Sequence, residues 1–255
     1  RLLEQSLGHA LFKPAGRGLA LTEAGQTALE LAEQIFALGV QLHTAVGDAA
    51  SQKRVRLVVG ISDGLPKFAV RDLLGPALSE PNLRLLCHED GFEDLLGSLA
   101  LHRLDVVLSD RPAPANPNLR LYSHPLGSSP LGWYAPKAWL AQARRDFPQC
   151  LSQVPVLLPT AQSSVRLRID QWFERHGVQP RVVGEFEDSA LLATFGASGM
   201  GVIPAAERLR DDLAQGYGLK WFAPCDGVQE HFYAIGTARK VQHPLVQRLL
   251  NASVF

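Results

Sequence analysis

The chain has 255 residues, of which 46% are hydrophobic and 20% are charged. This composition suits a folded protein with room for two domains and an arm, and it excludes extensive disorder. The 25 basic and 25 acidic side chains balance to a formal net charge of +0. Any contact with nucleic acid must therefore come from a local basic patch rather than from an overall positive field.

The cysteine content and the hydropathy pattern bear on where the protein works. Its three cysteines, Cys87, Cys150 and Cys225, are far apart, and an odd number argues against a disulfide framework. No apolar run approaches the roughly 18 residues that a membrane span needs. We therefore expect a cytoplasmic protein without membrane contacts.

The N-terminal segment RLLEQSLG has the pattern of a helix end. Leu2, Leu3 and Leu7 are spaced for one buried face, and Gly8 provides a C-terminal stop. The start of a helix needs a cap for its free N–H groups, and no capping residue precedes this segment. We therefore expect the natural chain to extend upstream of Arg1.

Residues 9–21 consist of two short apolar segments around a turn, which predicts a small hairpin. Lys13 and Arg17 lie in this segment, whereas residues 21–50 carry only acidic charges. The hairpin is therefore a candidate patch for contacts with DNA phosphates, which give affinity without sequence choice. The alternative is that both cations are solvated surface groups.

A long helix is predicted over residues 22–50, with Thr22 as its N-cap. Its apolar residues recur at alternating steps of four and three, which is the spacing of a coiled-coil seam. The central positions of this seam are Ala28, Leu31, Ile35, Leu38 and Leu42. We predict a dimerisation helix. The alternative is a surface helix packed on its own domain, for which a broader stripe with a period of 3.6 is typical.

Residues 53–251 alternate short runs rich in Val and Leu with helical stretches, which indicates an α/β fold with parallel strands. A proline-rich link over residues 111–117 divides this region into two lobes. Lobe I is expected to comprise residues 53–111 and 230–251, and lobe II residues 120–222. Two such lobes joined by more than one crossover form a hinged cleft, the usual place for a small ligand.

The element boundaries follow from the same pattern. Predicted strands cover residues 55–61, 83–87, 104–108, 131–135, 154–158, 181–186, 201–203, 219–222 and 230–237. The first predicted helix of this region follows the turn at residues 62–66 and ends near residue 78. Further helices are predicted over residues 91–101, 163–176, 189–199, 205–215 and 244–251.

Three turns that follow strands are the candidate effector-binding site, because free N–H groups and helix dipoles point at the cleft there. These turns contain the polar or small residues Ser62, Asp63, Gly64, Ser109, Asp110, Thr160, Ser163 and Ser164. The serine-rich turns suit an anion such as a carboxylate. Asp63 and Asp110 leave neighbouring strands, however, and two carboxylates favour a cation. The alternative for both aspartates is a role as a helix cap or in a turn.

No catalytic signature is present: the chain has no G-x-S-x-G, no Walker A and no H-E-x-x-H motif. We therefore expect a protein that is not an enzyme. We expect no cofactor, and the candidate ligands are a cation, held by Asp63 and Asp110, or a small organic effector.

The segment LLEQSLGHALFKPAGRGLALTEAG resembles the end of the recognition helix, the wing and the start of the linker helix of LysR-type transcriptional regulators. The order L-E-x-x-L-G-x-x-L-F, a basic residue and then L-T-x-x-G is specific to that family. The resemblance implies that residues 1–21 are the remnant of a winged helix-turn-helix. It further implies that residues 53–251 form a two-lobed effector domain like that of periplasmic binding proteins.

The resemblance also implies partners. Arg1, Lys13 and Arg17 would contact promoter DNA, the chain would form a homodimer or tetramer, and RNA polymerase is a further candidate partner. Segments such as GISDGLPKFAVRDLLGPAL and HEDGFEDLLGSLALHRLDVVLSDRPAP most resemble a family member that activates a sodium/proton antiporter gene, which implies an activator that responds to sodium.

Two other functions fit the same architecture. A small-solute-binding protein has the same two lobes without a DNA-binding function, and an enzyme can use the same cleft. The predicted heptad helix favours a regulator over a solute-binding protein. The absence of an identifiable nucleophile and base argues against an enzyme.

Overall fold

The computed structural model describes residues 2–16, 18–51, 55–115, 120–238 and 243–251. The helices are α1 Leu2–Leu7, α2 Glu23–Ser51, α3 Lys67–Leu78, α4 Phe92–Ala100, α5 Lys137–Ala143, α6 Arg166–Arg175, α7 Ser189–Ala197, α8 Arg210–Tyr217 and α9 Pro244–Asn251. The strands are β1 Phe12–Ala15, β2 Gly18–Leu21, β3 Val55–Ser62, β4 Leu83–Asp90, β5 Val106–Ser109, β6 Leu121–Ala135, β7 Pro155–Pro159, β8 Arg181–Phe186, β9 Ile203–Ala206 and β10 Lys220–Thr237. None of the described helices is long and apolar enough to cross a membrane.

The N-terminal segment forms the predicted helix end and hairpin. Gly8 closes α1 with a φ of 71°, and β1 pairs antiparallel with β2. The Glu4 carboxylate connects α1 to the segment that enters the hairpin, because its Oε1 accepts the N–H of Leu11 at 2.9 Å. The predicted burial of the leucine face is wrong within this chain: Leu2 is 85% exposed, and none of the α1 residues is buried.

Thr22 caps α2 as predicted, and its Oγ1 accepts the N–H of Gly25 at 3.0 Å. Gly25 is required here for a steric reason: a Cβ at this position would lie 2.0 Å from the Leu11 carbonyl oxygen. The start of α2 is therefore fixed directly against the chain that enters the hairpin.

The side chains at the seam of α2 have little cover within one chain. Leu31 is 55% exposed, Ile35 67%, Leu38 41% and Leu42 64%, while Ala28 is half-buried. The predicted helix is confirmed, and its apolar seam faces away from the rest of the described chain.

A six-stranded sheet with the order β4-β3-β5-β10-β6-β9 forms the framework of the body. Strands β3, β4 and β5 are parallel, as predicted for a βαβαβ unit. With α3, α4 and α9 they make the first lobe. The second lobe consists of β7 and β8, which pair parallel, together with β9 and helices α5 to α8.

The two lobes share strands β6 and β10, which pair antiparallel along most of their lengths. The sequence pattern predicts only residues 131–135 of β6 and two separate strands within β10, and both predictions are wrong. The apparent breakers are accommodated by irregular pairing, since the register shifts between Pro224 and Gln229 and between Phe232 and Tyr233. Pro130 and Pro125 pair next to these shifts, where a missing N–H is tolerated.

Smaller corrections concern the second lobe. The strand predicted over residues 201–203 is β9, Ile203–Ala206, an edge strand that tolerates Pro204. The helix predicted over residues 205–215 starts later, because a 3₁₀ turn, Glu207–Leu209, precedes α8. Helix α5 and the 3₁₀ turn Gln149–Ser152 were not predicted.

The buried apolar side chains form one large cluster that reaches from the first lobe into the second. It includes Leu57 of β3, Leu73 of α3, Ile203 of β9 and Leu213 of α8, each at most 4% exposed. A separate cluster around Trp133 and Trp172 fills the second lobe. The large cluster therefore continues across the junction of the two lobes.

Candidate effector site between the lobes

The strand-end turns of both lobes meet at one cavity of about 200 Å³, which we name the acidic cleft. Its lining residues share a position at or next to the ends of strands and helices: Ser62, Asp63, Gly64, Gly91, Phe92, Glu93, Asp94, Asp110, Arg111, Gln162, Ser163 and Glu187. Five of the eight candidate effector residues are in this set. The structure thus brings together turns that are about 100 residues apart in the sequence.

The turn after β3 contributes three of these residues. Ser62 is only 4% exposed, and its hydroxyl has no hydrogen-bond partner among the described residues. A Cβ on Gly64 would lie 3.7 Å from the Asp110 Oδ2, so the turn passes close to that carboxylate. Asp63, between them, is half-buried and lines the cleft.

Asp110, after β5, connects the two lobes. Its Oδ2 accepts the N–H of Ser164 at 3.0 Å, and its backbone carbonyl accepts the Ser164 hydroxyl at 3.2 Å. Neither Ser109 nor Ser164 lines the cleft. Ser109 is fully buried, and its hydroxyl accepts the N–H of Arg111 at 3.2 Å. Both serines therefore have structural contacts next to the site.

Backbone hydrogen bonds, one within the turn and one to β8, hold the turn after β7 in place. The N–H of Ser163 donates to the Thr160 carbonyl at 3.1 Å, and the N–H of Thr160 donates to the Phe186 carbonyl at 3.0 Å. Ser163 lines the cleft, whereas Thr160 does not. The Thr160 hydroxyl is buried and has no partner among the described residues.

Negative charge dominates the lining of the cleft. The lining contains one guanidinium and five carboxylates, which belong to Asp63, Glu93, Asp94, Asp110 and Glu187. That guanidinium belongs to Arg111, lies 4.5 Å from the centre of the Phe92 ring and donates to the Gln162 carbonyl at 3.4 Å. The cleft therefore favours a cation over an anion.

The cleft is not arranged as a multidentate metal centre. In the described ranges no group of three or more His, Cys, Asp or Glu side chains is placed to hold a metal ion. Two carboxylates and a free serine hydroxyl are nevertheless the hard oxygen donors that a monovalent cation prefers. The prediction that Asp63 and Asp110 bind Na⁺ stays a prediction.

Several residues of the cleft were missed by the sequence analysis. Glu93 and Asp94 lie in the first turn of α4, shortly after β4, and Glu187 directly follows β8. They therefore satisfy the same strand-end rule that selected Ser62 and Asp110. Applying that rule to every strand would have found them.

Glu230 was missed for another reason, because it lies inside strand β10. It is 6% exposed, and burial, together with the nearby negative charge of Asp110, raises its pKa to about 8. The alternation of side chains along a strand could have identified Glu230. Val228, Glu230 and Phe232 are two residues apart, and all three are buried.

The candidate DNA-contacting residues lie far along the chain from this cleft. Lys13 is exposed on β1, where it pairs with Ala20 of β2. Arg1 and Arg17 lie outside the described residues.

Comparison with known proteins identifies the class. Residues 50–254 match the family described as the LysR substrate binding domain. The chain belongs to the LysR family of transcriptional regulators, and the predicted two-lobed α/β fold is confirmed. This assignment favours a regulator over a solute-binding protein without a DNA-binding function.

Among curated relatives, the chain is 30% identical to the transcriptional activator protein NhaR of Escherichia coli (strain K12), over 98% of this chain and 82% of that protein. Solved structures agree on the fold. The full-length regulator CbnR complexed with its target DNA has a TM-score of 0.63 at 18% identity, covering 98% of this chain and 85% of that one. The effector-binding domain of QuiR in complex with shikimate has a TM-score of 0.57 at 13% identity, covering 77% and 94%.

Proposed function

We propose that this chain is a cytoplasmic transcriptional activator that responds to sodium and controls a sodium/proton antiporter gene. The observation that carries the proposal is the acidic cleft between the lobes, with five carboxylates and one guanidinium in its lining. The 30% identity to NhaR over nearly the whole chain supports the same conclusion.

The chemistry of the first-lobe turn is suited to a small hard cation. Asp63 is not engaged by any hydrogen bond or ion pair among the described residues, and the buried Ser62 hydroxyl has a free acceptor site. A cation that binds both gains oxygen ligands and relieves the repulsion among the neighbouring carboxylates. Asp110 contributes one further oxygen, because only its Oδ2 is used by Ser164.

The response to a ligand follows from the position of the cleft. Its first wall consists of turns of the first lobe and its second wall of turns of the second lobe, while β6 and β10 connect the lobes. A cation that contacts both walls favours the closed arrangement by its differential affinity for the two states. We propose that this closure changes how the DNA-binding segments are presented to a promoter.

Promoter contacts are assigned to the N-terminal hairpin. Lys13 is exposed there, and Arg17 lies in the same turn of the sequence. CbnR, which shares the fold, has been solved with its target DNA. Phosphate contacts by these cations would give affinity that falls with salt.

Self-association is assigned to α2. The exposed seam of Leu31, Ile35, Leu38 and Leu42 matches the heptad spacing, and a second copy of the same helix provides a complementary surface. A homodimer, or a tetramer built from it, is the proposed assembly, with RNA polymerase as the partner at the promoter.

The test compares the thermal midpoint of the chain in sodium chloride and in potassium chloride at equal ionic strength. Binding to the native state raises stability by mass action, so we expect a higher midpoint in sodium. The Asp63→Asn variant should lose this difference. Asp226→Asn, at an exposed aspartate of β10 outside the cleft, should keep it. Equal midpoints of the unmodified chain in the two salts would refute direct sodium binding.

A further inference from the structure

A second cavity of about 130 Å³ lies next to the acidic cleft, and we name it the apolar chamber. It shares Gly64, Ser163 and Glu187 with the lining of the cleft. Its walls come from both lobes and are mostly hydrocarbon: Phe68, Leu192, Ala193, Ile203, Leu213 and Tyr217. A dry apolar cavity of about 150 Å³ holds benzene. The chamber is slightly smaller, at about 130 Å³, and opens into the adjoining cleft, so it suits a ligand no larger than one small ring or a short branched chain.

One polar side chain of this chamber stands out because it is buried and unsatisfied. Glu230 lines the chamber and is 6% exposed, and none of the hydrogen bonds or ion pairs among the described residues involves its carboxyl group. A buried carboxyl without a partner destabilises the fold, and native proteins rarely retain such a group without a use for it.

The charged groups around Glu230 decide which ligand fits. Asp110 of the first lobe and Glu187 at the mouth of the chamber are acidic. The cations nearby are already engaged: Lys67 of α3 pairs with Glu89 and with Asp188, and Arg168 of α6 donates to the Gln229 carbonyl. A ligand anion would be repelled by these acidic side chains, whereas an ammonium group would give the Glu230 carboxylate the partner that it lacks among the described hydrogen bonds and ion pairs.

We propose that the apolar chamber binds a small organic amine, with its ammonium group on the Glu230 carboxylate and its hydrocarbon part between Phe68, Leu192 and Leu213. The ligand reaches the chamber through the acidic cleft, whose carboxylates attract it. This site is separate from the sodium site proposed at Asp63, and the inference does not depend on a sodium response.

Binding of the amine includes the loss of one proton. The empty chamber favours protonated Glu230, since burial and Asp110 raise its pKa to about 8, and the carboxyl proton leaves to water when the ammonium group binds. Below pH 8 the affinity for the amine should therefore increase about tenfold for each unit by which the pH is raised. The charged groups that face Glu230 are Asp110, Glu187, Lys67 and Arg168.

The experiment measures binding of benzylamine, benzyl alcohol and benzoate to the whole chain by calorimetry at pH 6 and pH 7. We expect benzylamine to bind more tightly than the neutral alcohol, and benzoate to bind least. Benzylamine should bind about tenfold more tightly at pH 7 than at pH 6, while the alcohol should show no change. The Glu230→Gln variant should lose at least tenfold in affinity for benzylamine and little for benzyl alcohol.

Matched variants separate the possible outcomes. Glu174→Gln, an exposed acid of α6 outside the chamber, should bind benzylamine like the unmodified chain, and Ala193→Leu, which fills the chamber, should exclude both benzylamine and benzyl alcohol. Equal benzylamine affinity in the unmodified chain and Glu230→Gln, no benzylamine binding at all, or tighter binding of benzoate would each overturn the proposal. The sodium effect at Asp63 should be present or absent regardless of these results, so the two proposals fail independently.

Discussion

Ser164 of the second lobe donates two hydrogen bonds to Asp110 of the first lobe, from its N–H to Oδ2 at 3.0 Å and from its hydroxyl to the backbone carbonyl at 3.2 Å. Asp110 lines the acidic cleft, and Ser164 follows the lining residue Ser163. Asp110 is 6% exposed, so its carboxylate depends on such contacts for its stability. The pair therefore connects the two lobes directly and restrains their separation.

Replacing Ser164 by alanine should make the lobes open more readily. The change removes one of the two hydrogen bonds, which contributes about 1 kcal/mol, and leaves the backbone bond in place. We expect faster hydrogen exchange at the start of α6 and a larger radius of gyration by X-ray scattering. Ser198→Ala is the control, because its hydroxyl donates to Phe195 within one helix end. Unchanged exchange in Ser164→Ala would show that the pair does not restrain the lobes.

Glu230 should make the folded protein less stable as the pH rises. Its pKa is about 8 in the folded state, raised by burial and by Asp110, against an ordinary value of 4.5. Between these two values the folded chain retains a proton that the unfolded chain has released, so increasing pH favours unfolding by about 1.4 kcal/mol per pH unit. Above pH 8 this contribution becomes constant.

Chemical denaturation at pH 5, 7 and 9 checks this dependence. The free energy of unfolding of Glu230→Gln should decrease less with pH than that of the unmodified chain, because glutamine does not titrate. Glu174→Gln, with an exposed side chain, should follow the unmodified chain. Parallel curves for the unmodified chain and Glu230→Gln would contradict the assignment of a protonated Glu230.

Gly25 should be intolerant of any side chain. A Cβ at this position would lie 2.0 Å from the Leu11 carbonyl oxygen, so Gly25→Ala must push α2 away from the hairpin. Overpacking of this kind costs about 1 to 3 kcal/mol. We expect faster hydrogen exchange in β1 and β2, while Gly39→Ala, at an open position of the same helix, should leave the exchange unchanged. Protection of the hairpin in Gly25→Ala equal to that of the unmodified chain would contradict this contact.

The elements that the sequence predicted well are those whose boundaries depend on local signals. Strand β8 was predicted over residues 181–186 and helix α9 over residues 244–251, and both have these bounds. Strands β6 and β10 were predicted as fragments, because their prolines are tolerated only through irregular pairing with a distant strand. Such tolerance depends on tertiary contacts and cannot be predicted from neighbouring residues.

Some residues of the candidate site could likewise be predicted from local signals, and others could not. The strand-end rule placed Asp63, Asp110 and Ser163 at one cleft, since the carboxyl ends of parallel strands meet at one edge. The rule does not say which of these residues face the cavity, and Ser109 and Ser164 are engaged elsewhere. The unpartnered state of Glu230 depends on side chains from several elements, so only the folded structure shows it.

Leu38→Asp should convert the proposed dimer into a monomer. Leu38 is 41% exposed at the seam of α2, and in a dimer its replacement would place like charges opposite each other in an apolar interface. Leu29 is a matched control, because it is 43% exposed on the same helix but lies outside the heptad seam. Sedimentation equilibrium should show a dimer for the unmodified chain and for Leu29→Asp, and a monomer for Leu38→Asp. If Leu38→Asp sediments as a dimer, the seam of α2 is not the interface, and if the unmodified chain is a monomer, α2 alone does not hold two copies together.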